Sequence, residues 1–213
     1  MTCCSHEGCA PAAVGRYRRV LWIVLGINAG MFAVEAAAGL LAGSAALQAD
    51  ALDFLADAAN YGISLLALSL ARVWRSRAAL LKGLSMGGFG LWVIATVAWH
   101  AIHGTVPAWG TMGTVGAAAL AANLACLALL HAWRDGDANM RSVWICSRND
   151  VLANFAVMAA ALGVFGTGRG WPDLIVAAIM AALALHGAAT IIRHAKTELA
   201  RRRNRGFVLP GAG

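Results

Sequence analysis

Long apolar runs alternate with compact clusters of basic residues along this chain, and the spacing of the clusters is regular. Arg16, Arg18 and Arg19 are followed by no Lys or Arg until Arg72, Lys82 by none until Arg134, and after Arg148 only Arg169 intervenes before Arg193. Each gap of about 45 to 52 residues holds two spans of about 20 residues and a short turn. The pattern therefore predicts an all-α membrane protein of three hairpins and six transmembrane helices, over residues 20–41, 45–71, 84–103, 111–133, 142–166 and 173–192. Turn signals fall in each gap: Gly43-Ser44 in the first, Pro107 and Gly110 in the second, and Gly168-Arg169-Gly170 with Pro172 in the third. Trp74, Trp99, Trp109, Trp133, Trp144 and Trp171 fall near predicted helix ends, where an aromatic belt meets the membrane interface.

Composition sharpens the picture. Hydrophobic residues make up 60% of 213 positions, charged residues only 13%, and the mean hydropathy is +0.68, outside the range of soluble globular chains. Residues 1–15 form a polar, cysteine-bearing stretch without a basic n-region or a cleavage site, expected to remain as a cytosolic tail. Residues 16–195 form the membrane domain, and 196–213 a short basic tail. Nearly all Lys and Arg lie in the N-terminal tail, the 72–82 loop, the 134–141 loop or the C-terminal tail, so both termini are expected in the cytoplasm. A net charge of +7 and the run Arg201, Arg202, Arg203 and Arg205 would suit nucleic acid in a soluble protein. Directly after a membrane span they read instead as a topology signal held against anionic lipid, and no nucleic-acid partner is expected. Composition and the lack of organellar signals point to a bacterial inner membrane. Gly39 to Gly43 and Gly83 to Gly87 make small-xxx-small spacings that let helices approach closely.

Against this apolar background four aspartates stand out. Asp50, Asp53 and Asp57 fall at i, i+3 and i+7 in the second predicted helix and so share one face. Asp150 lies in the fifth, with Cys146 one helical turn before it. A single Asp at the centre of a membrane helix costs roughly 2.5 to 3.5 kcal/mol, and four cost on the order of 10 kcal/mol if nothing compensates. Clustered carboxylates repel one another when ionised, so such a site holds protons, a cation, or each in turn. Asp53, Asp57, Cys146 and Asp150 offer three carboxylates and one thiolate from two i, i+4 pairs, a set suited to a tetrahedral ion such as zinc. Sulfur tilts the preference toward zinc, cadmium and similar ions over magnesium and calcium. A purely structural role suits one intramembrane acid; four on two faces with a cysteine exceed it.

At these residues the sequence resembles the cation diffusion facilitator family of metal exporters. The stretch from Gly43 to Asp57, GSAALQADALDFLAD, is similar to that family's Ser-x-Ala-Leu-x-Ala-Asp-Ala run followed by two ligands four residues apart. Cys146 to Asp150 resembles its second ligand pair, usually His or Asp followed four residues later by Asp. Asn28 and Glu35 are similar to polar positions of the family's first helix. The resemblance covers most of residues 16–195. It implies proton-coupled efflux of a divalent transition-metal cation (zinc, cadmium or cobalt) through a site of alternating exposure, with Asp53, Asp57 and Asp150 as ligands. It also implies an antiporter with no resident cofactor and no catalytic residues, working as a homodimer. Cys146 stands where the family usually carries His or Asp. About twenty residues follow the sixth span, so the cytoplasmic metallochaperone-like domain of many relatives is expected to be absent, and dimerisation would rest on the membrane helices.

Other candidates are secondary. Cys3, Cys4, His6 and Cys9 form a group of soft ligands in the N-terminal tail that suits a metal-capturing arm as well as it suits a cluster with no role. His100 and His103 lie at the outer end of the third span, and His131, His186 and His194 near the opposite ends. Cys126 reads as a small core residue. Arg148 and Asn149 flank Asp150, and Asn154 shares its face at i+4, where it would support the ligand. A proton-coupled exporter of small organic cations also uses buried acids, but needs aromatic walls, and these faces offer mainly Ala, Leu and Phe54. An intramembrane hydrolase or thiol oxidoreductase is disfavoured by the lack of a nucleophile elbow and of a CxxC motif.

Overall fold

The computed structural model describes residues 11–67, 72–133 and 138–205. Among them the regular structure is entirely helical: α1 Pro11–Ala42, α2 Ala45–Ala67, α3 Arg72–His103, α4 Trp109–Leu130 with a short 3₁₀ turn His131–Trp133, α5 Ala138–Thr167 and α6 Trp171–Arg205. Six helices match the number expected, and the turns fall at Gly43-Ser44, around Pro107 and at 168–170, while Gly110 and Pro172, read as turn signals, lie in the first turns of α4 and α6. Gly43, Gly104 and Gly168 have φ of 64°, 67° and 62°, the left-handed conformation that ends a helix at little cost only for glycine.

Four helix boundaries differ from expectation, three of them at basic clusters. The stretch 72–82, read as a loop, forms the first turns of α3; residues 138–141 open α5; and α6 runs on through Arg205. Arg, Ala, Leu and Lys are strong helix formers, so a basic cluster marks the end of the apolar span without ending the helix. Residues 11–15, assigned to the tail, likewise begin α1. Residues 68–71, the end of the second predicted span, lie outside the described residues, as do 134–137.

Five of the helices contain stretches long and apolar enough to cross a membrane: 15–42, 80–103, 109–130, 150–167 and 171–197. The sixth, α2, is long enough at 23 residues, about 34 Å, but its three aspartates take it out of the apolar class. Large apolar side chains point outward along the other helices, among them Leu41, 89% exposed, and Ile102, 80% exposed, a surface suited to contact with lipid. Trp99, Trp109 and Trp171 are exposed together at one end of the bundle, where α3 ends and α4 and α6 begin.

Packing puts α2 in the middle. The closest helix pairs are α1 with α2, α3 with α6 and α4 with α5, and α2 also touches α3, α5 and α6. The small residues noted in the sequence lie at these approaches. A Cβ on Gly39 would meet Gln48 Cγ at 2.9 Å across the α1–α2 hairpin, and one on Gly83 would meet Ile192 Cγ1 at 2.8 Å between α3 and α6. The main core joins Ala45, Ala46 and Ala49 of α2 to Val157 and Ala160 of α5 and Ala177 of α6.

Candidate metal centre

The start of α2 is fixed by a residue from the far end of the chain. Asp173, in the first turn of α6 and 1% exposed, accepts hydrogen bonds from Ser44 Oγ (2.6 Å), Ala45 N (2.8 Å) and Ala46 N (3.1 Å). Ser44 Oγ in turn accepts from Leu47 N at 3.1 Å. The first three free N–H groups of α2 are thereby satisfied, and a carboxylate faces the positive end of the helix dipole. With its start pinned, the 3.6-residue repeat of α2 turns Asp50, Asp53 and Asp57 into the bundle.

Asp57 lies at the junction of three helices. It is buried, accepts a 2.9 Å hydrogen bond from Tyr61 Oη one turn on, and approaches Asp150 of α5 and Lys82 of α3. Lys82 is buried too and donates to Asn60 Oδ1. Asp150 is half-buried, and its Oδ2 atom is enclosed without a hydrogen-bond partner. Asp53 is half-buried between Asp50 and Asp57 on the same face of α2. Among the described residues no three His, Cys, Asp or Glu side chains come close enough to hold one ion. The predicted thiolate falls on Cys146, whose backbone belongs to α5 one turn before Asp150 and whose side chain lies outside the described residues, as do those of Arg148 and Asn149. The structure thus brings Asp57 and Asp150 together, with Asp53 beside them. Carboxylate oxygens from two helices, one of them unpartnered, are an arrangement that accepts a cation.

Asp50 belongs to a different group. Its Oδ2 accepts from Asn154 Nδ2 at 2.7 Å, and Asn154 Oδ1 accepts from Asn123 Nδ2 at 2.8 Å. The expectation that Asn154 supports Asp150 is corrected here: its amide is spent on bridging Asp50 of α2 to Asn123 of α4, since a buried amide goes where it can both donate and accept. Glu35 of α1 lies beside Asp50, fully buried. Asn28, seven residues earlier, donates to Val24 O (2.7 Å) and Cys126 Sγ (3.5 Å), and Cys126 is core, as expected.

The histidines stand apart from the acids of α2 and α5. His103 is exposed with its Nδ1 at 2.8 Å from Trp99 O, and His131, His186 and His194 are exposed. Cys3, Cys4, His6 and Cys9 lie outside the described residues. Four residues of the site went unassigned in the sequence. Tyr61, at i+4 from Asp57, was findable from spacing; Lys82 had been counted only as a topology marker; Asn123 and Asp173 reach their partners across helices, which spacing does not reveal.

Comparison with known proteins settles the family. The sequence profile of the cation efflux transmembrane domain matches residues 21–200. The chain belongs to the cation efflux family, the cation diffusion facilitators. This cation efflux protein is 30% identical over 195 residues to the zinc transporter ZitB of Escherichia coli (strain K12), covering 85% of this chain and 62% of that one. It is 28% identical over 192 residues to ZitB of Yersinia pestis, covering 84% and 62%. To a cadmium, cobalt and zinc/H(+)-K(+) antiporter of Bacillus velezensis it is 27% identical over 192 residues, covering 81% and 60%. The chain therefore spans less than two thirds of the length of these relatives. Its helices and its bacterial relatives make it a multi-pass protein of the bacterial inner membrane.

Proposed function

We propose that this chain exports divalent transition-metal cations of the zinc, cadmium and cobalt class from the cytoplasm in exchange for protons. The observation that carries this reading is the approach of Asp57 on α2 to Asp150 on α5, acids of two helices facing each other inside a cation efflux domain. Asp53, Asp57, Cys146 and Asp150 hold the ion; the relatives' printed names, zinc transporter and cadmium, cobalt and zinc antiporter, support the choice of metals. Carboxylates that repel one another when ionised take up protons as the metal leaves, which couples the two fluxes at one site. Lys82, beside Asp57, is a tethered cation that offsets part of the charge when the metal is absent. In this reading α2 is the sixth membrane span, both termini are cytoplasmic, and two chains pair through their membrane helices.

Reconstitution tests it. Purified protein in sealed proteoliposomes should take up zinc when the lumen is acidic, with luminal alkalinisation in step, and uptake should vanish in Asp57→Asn. Zinc uptake with no associated proton movement would remove the exchange mechanism, and no uptake of zinc, cadmium or cobalt would remove the substrate class.

A further inference from the structure

Among the described residues Glu35 is an acid with no basic or amide partner. It is 0% exposed, and both carboxyl oxygens are enclosed with no donor facing them other than the neighbouring acid Asp50. Such a group in hydrocarbon costs several kcal/mol unless something meets it. Its neighbour is a second carboxylate, Asp50, 1% exposed and held in place by the Asn154 and Asn123 amides. A hydrogen-bonded chain from α4 through α5 to α2 thus fixes one carboxylate, while the other, from α1, meets no donor except that neighbouring acid.

The pair is offset from the Asp57–Asp150 approach, with Asp53 of the main centre lying between them on α2. Asp50 lies two turns before Asp57, about 10 Å nearer the α1–α2 turn along the axis of α2. Glu35 is eight residues before Gly43 and Asp50 seven after it, so the two meet at one depth across the antiparallel hairpin. No thiol or imidazole among the described residues joins them.

We propose that Glu35 and Asp50 form a second divalent-cation site, held by oxygen ligands alone, about 10 Å from Asp57 toward the α1–α2 turn. Oxygen-only coordination binds zinc-class ions more weakly than a set containing a thiolate does. A weaker station at that depth receives the ion as it leaves the main centre. The inference rests on the reading of the chain as a carrier of divalent metals.

Equilibrium dialysis of the purified full chain against zinc alone tests it. Wild type should bind two equivalents per chain, one tight and one weaker. Glu35→Gln with Asp50→Asn should lose the weak equivalent and keep the tight one; Asp57→Asn with Asp150→Asn should lose the tight one and keep the weak one. Both double variants remove buried charge, and helicity with elution volume in detergent confirms that they are folded. The wild-type count needs no variant: one equivalent overturns the second site while leaving the proposed function standing, and none overturns both. Two equivalents that both survive Glu35→Gln with Asp50→Asn also overturn it, leaving Glu35 as a group that carries only a proton.

Discussion

Asp57 and Asp150 face each other with no hydrophobic work to do, so neutral isosteres separate function from folding. Asp57→Asn or Asp150→Asn is expected to abolish metal transport; the melting temperature in detergent should stay level or rise for Asp150→Asn, which removes a buried acid, and fall for Asp57→Asn, which leaves the buried Lys82 ammonium without its neighbouring carboxylate. Transport at near wild-type rate with either variant would place the ion elsewhere. Lys82 gives a prediction of opposite sign. A dication beside Asp57 is repelled by the buried ammonium, so Lys82→Met is expected to tighten zinc binding about tenfold, on the order of 1.4 kcal/mol, measured by competition with a fluorescent chelator. For Cys146 the expectation is a change in selectivity. Cys146→Asp should weaken cadmium binding more than zinc or cobalt binding, and Cys146→His should shift preference toward zinc; equal changes for all three metals would make the thiol a bystander. The buried aspartates of α2 and α5 were legible in the sequence because an acid in an apolar run is conspicuous and helical spacing assigns its face. Lys82 was not, because a lysine at the end of a span has the same sequence signature whether its ammonium reaches water or turns inward to Asn60.

Among the elements, α2 depends on α6 for its first turn. Asp173→Asn replaces one acceptor oxygen by a donor facing the N–H groups of Ala45 and Ala46, and is expected to lower stability by about 1 to 3 kcal/mol. Ser44→Ala should cost about 1 kcal/mol, and the two losses should not add, since both side chains serve one cap. Thermal unfolding of the four proteins in one detergent measures this cycle. Additive losses would mean that Asp173 and Ser44 act independently. The helices themselves were readable from basic clusters and turn glycines, because a membrane span needs a minimum apolar length and a tight turn favours glycine. Their extensions at 72–82 and through Arg205 were not, since charge reports where the apolar stretch ends and says nothing about where the helix ends.

For the whole molecule, the asymmetry of Lys and Arg makes a topological statement. Single cysteines introduced near Gly110 should react with an impermeant thiol reagent from outside intact cells, and those near position 137 only after the membrane is opened. The reverse pattern would invert the export direction. The α3–α6 contact was foreshadowed by Gly83 and Gly87 and is tight at Gly83, where Ile192 leaves no room for a side chain. The order in which six helices pack is not written in any local spacing, and the central place of α2 emerged only from the assembled bundle. That placement carries a mechanical consequence. Part of the packing around α2 is alanine on alanine: Ala45, Ala46 and Ala49 share a buried core with Ala160, Ala177 and Ala181, alongside Val93, Val157 and Met180. Alanine has no side-chain rotamers, so where alanine meets alanine the two helices engage without knobs locked in holes. Because α2 is tied to α6 at its first turn, the depth of the acids along this smooth stretch is set by that hydrogen-bonded cap rather than by interdigitated side chains.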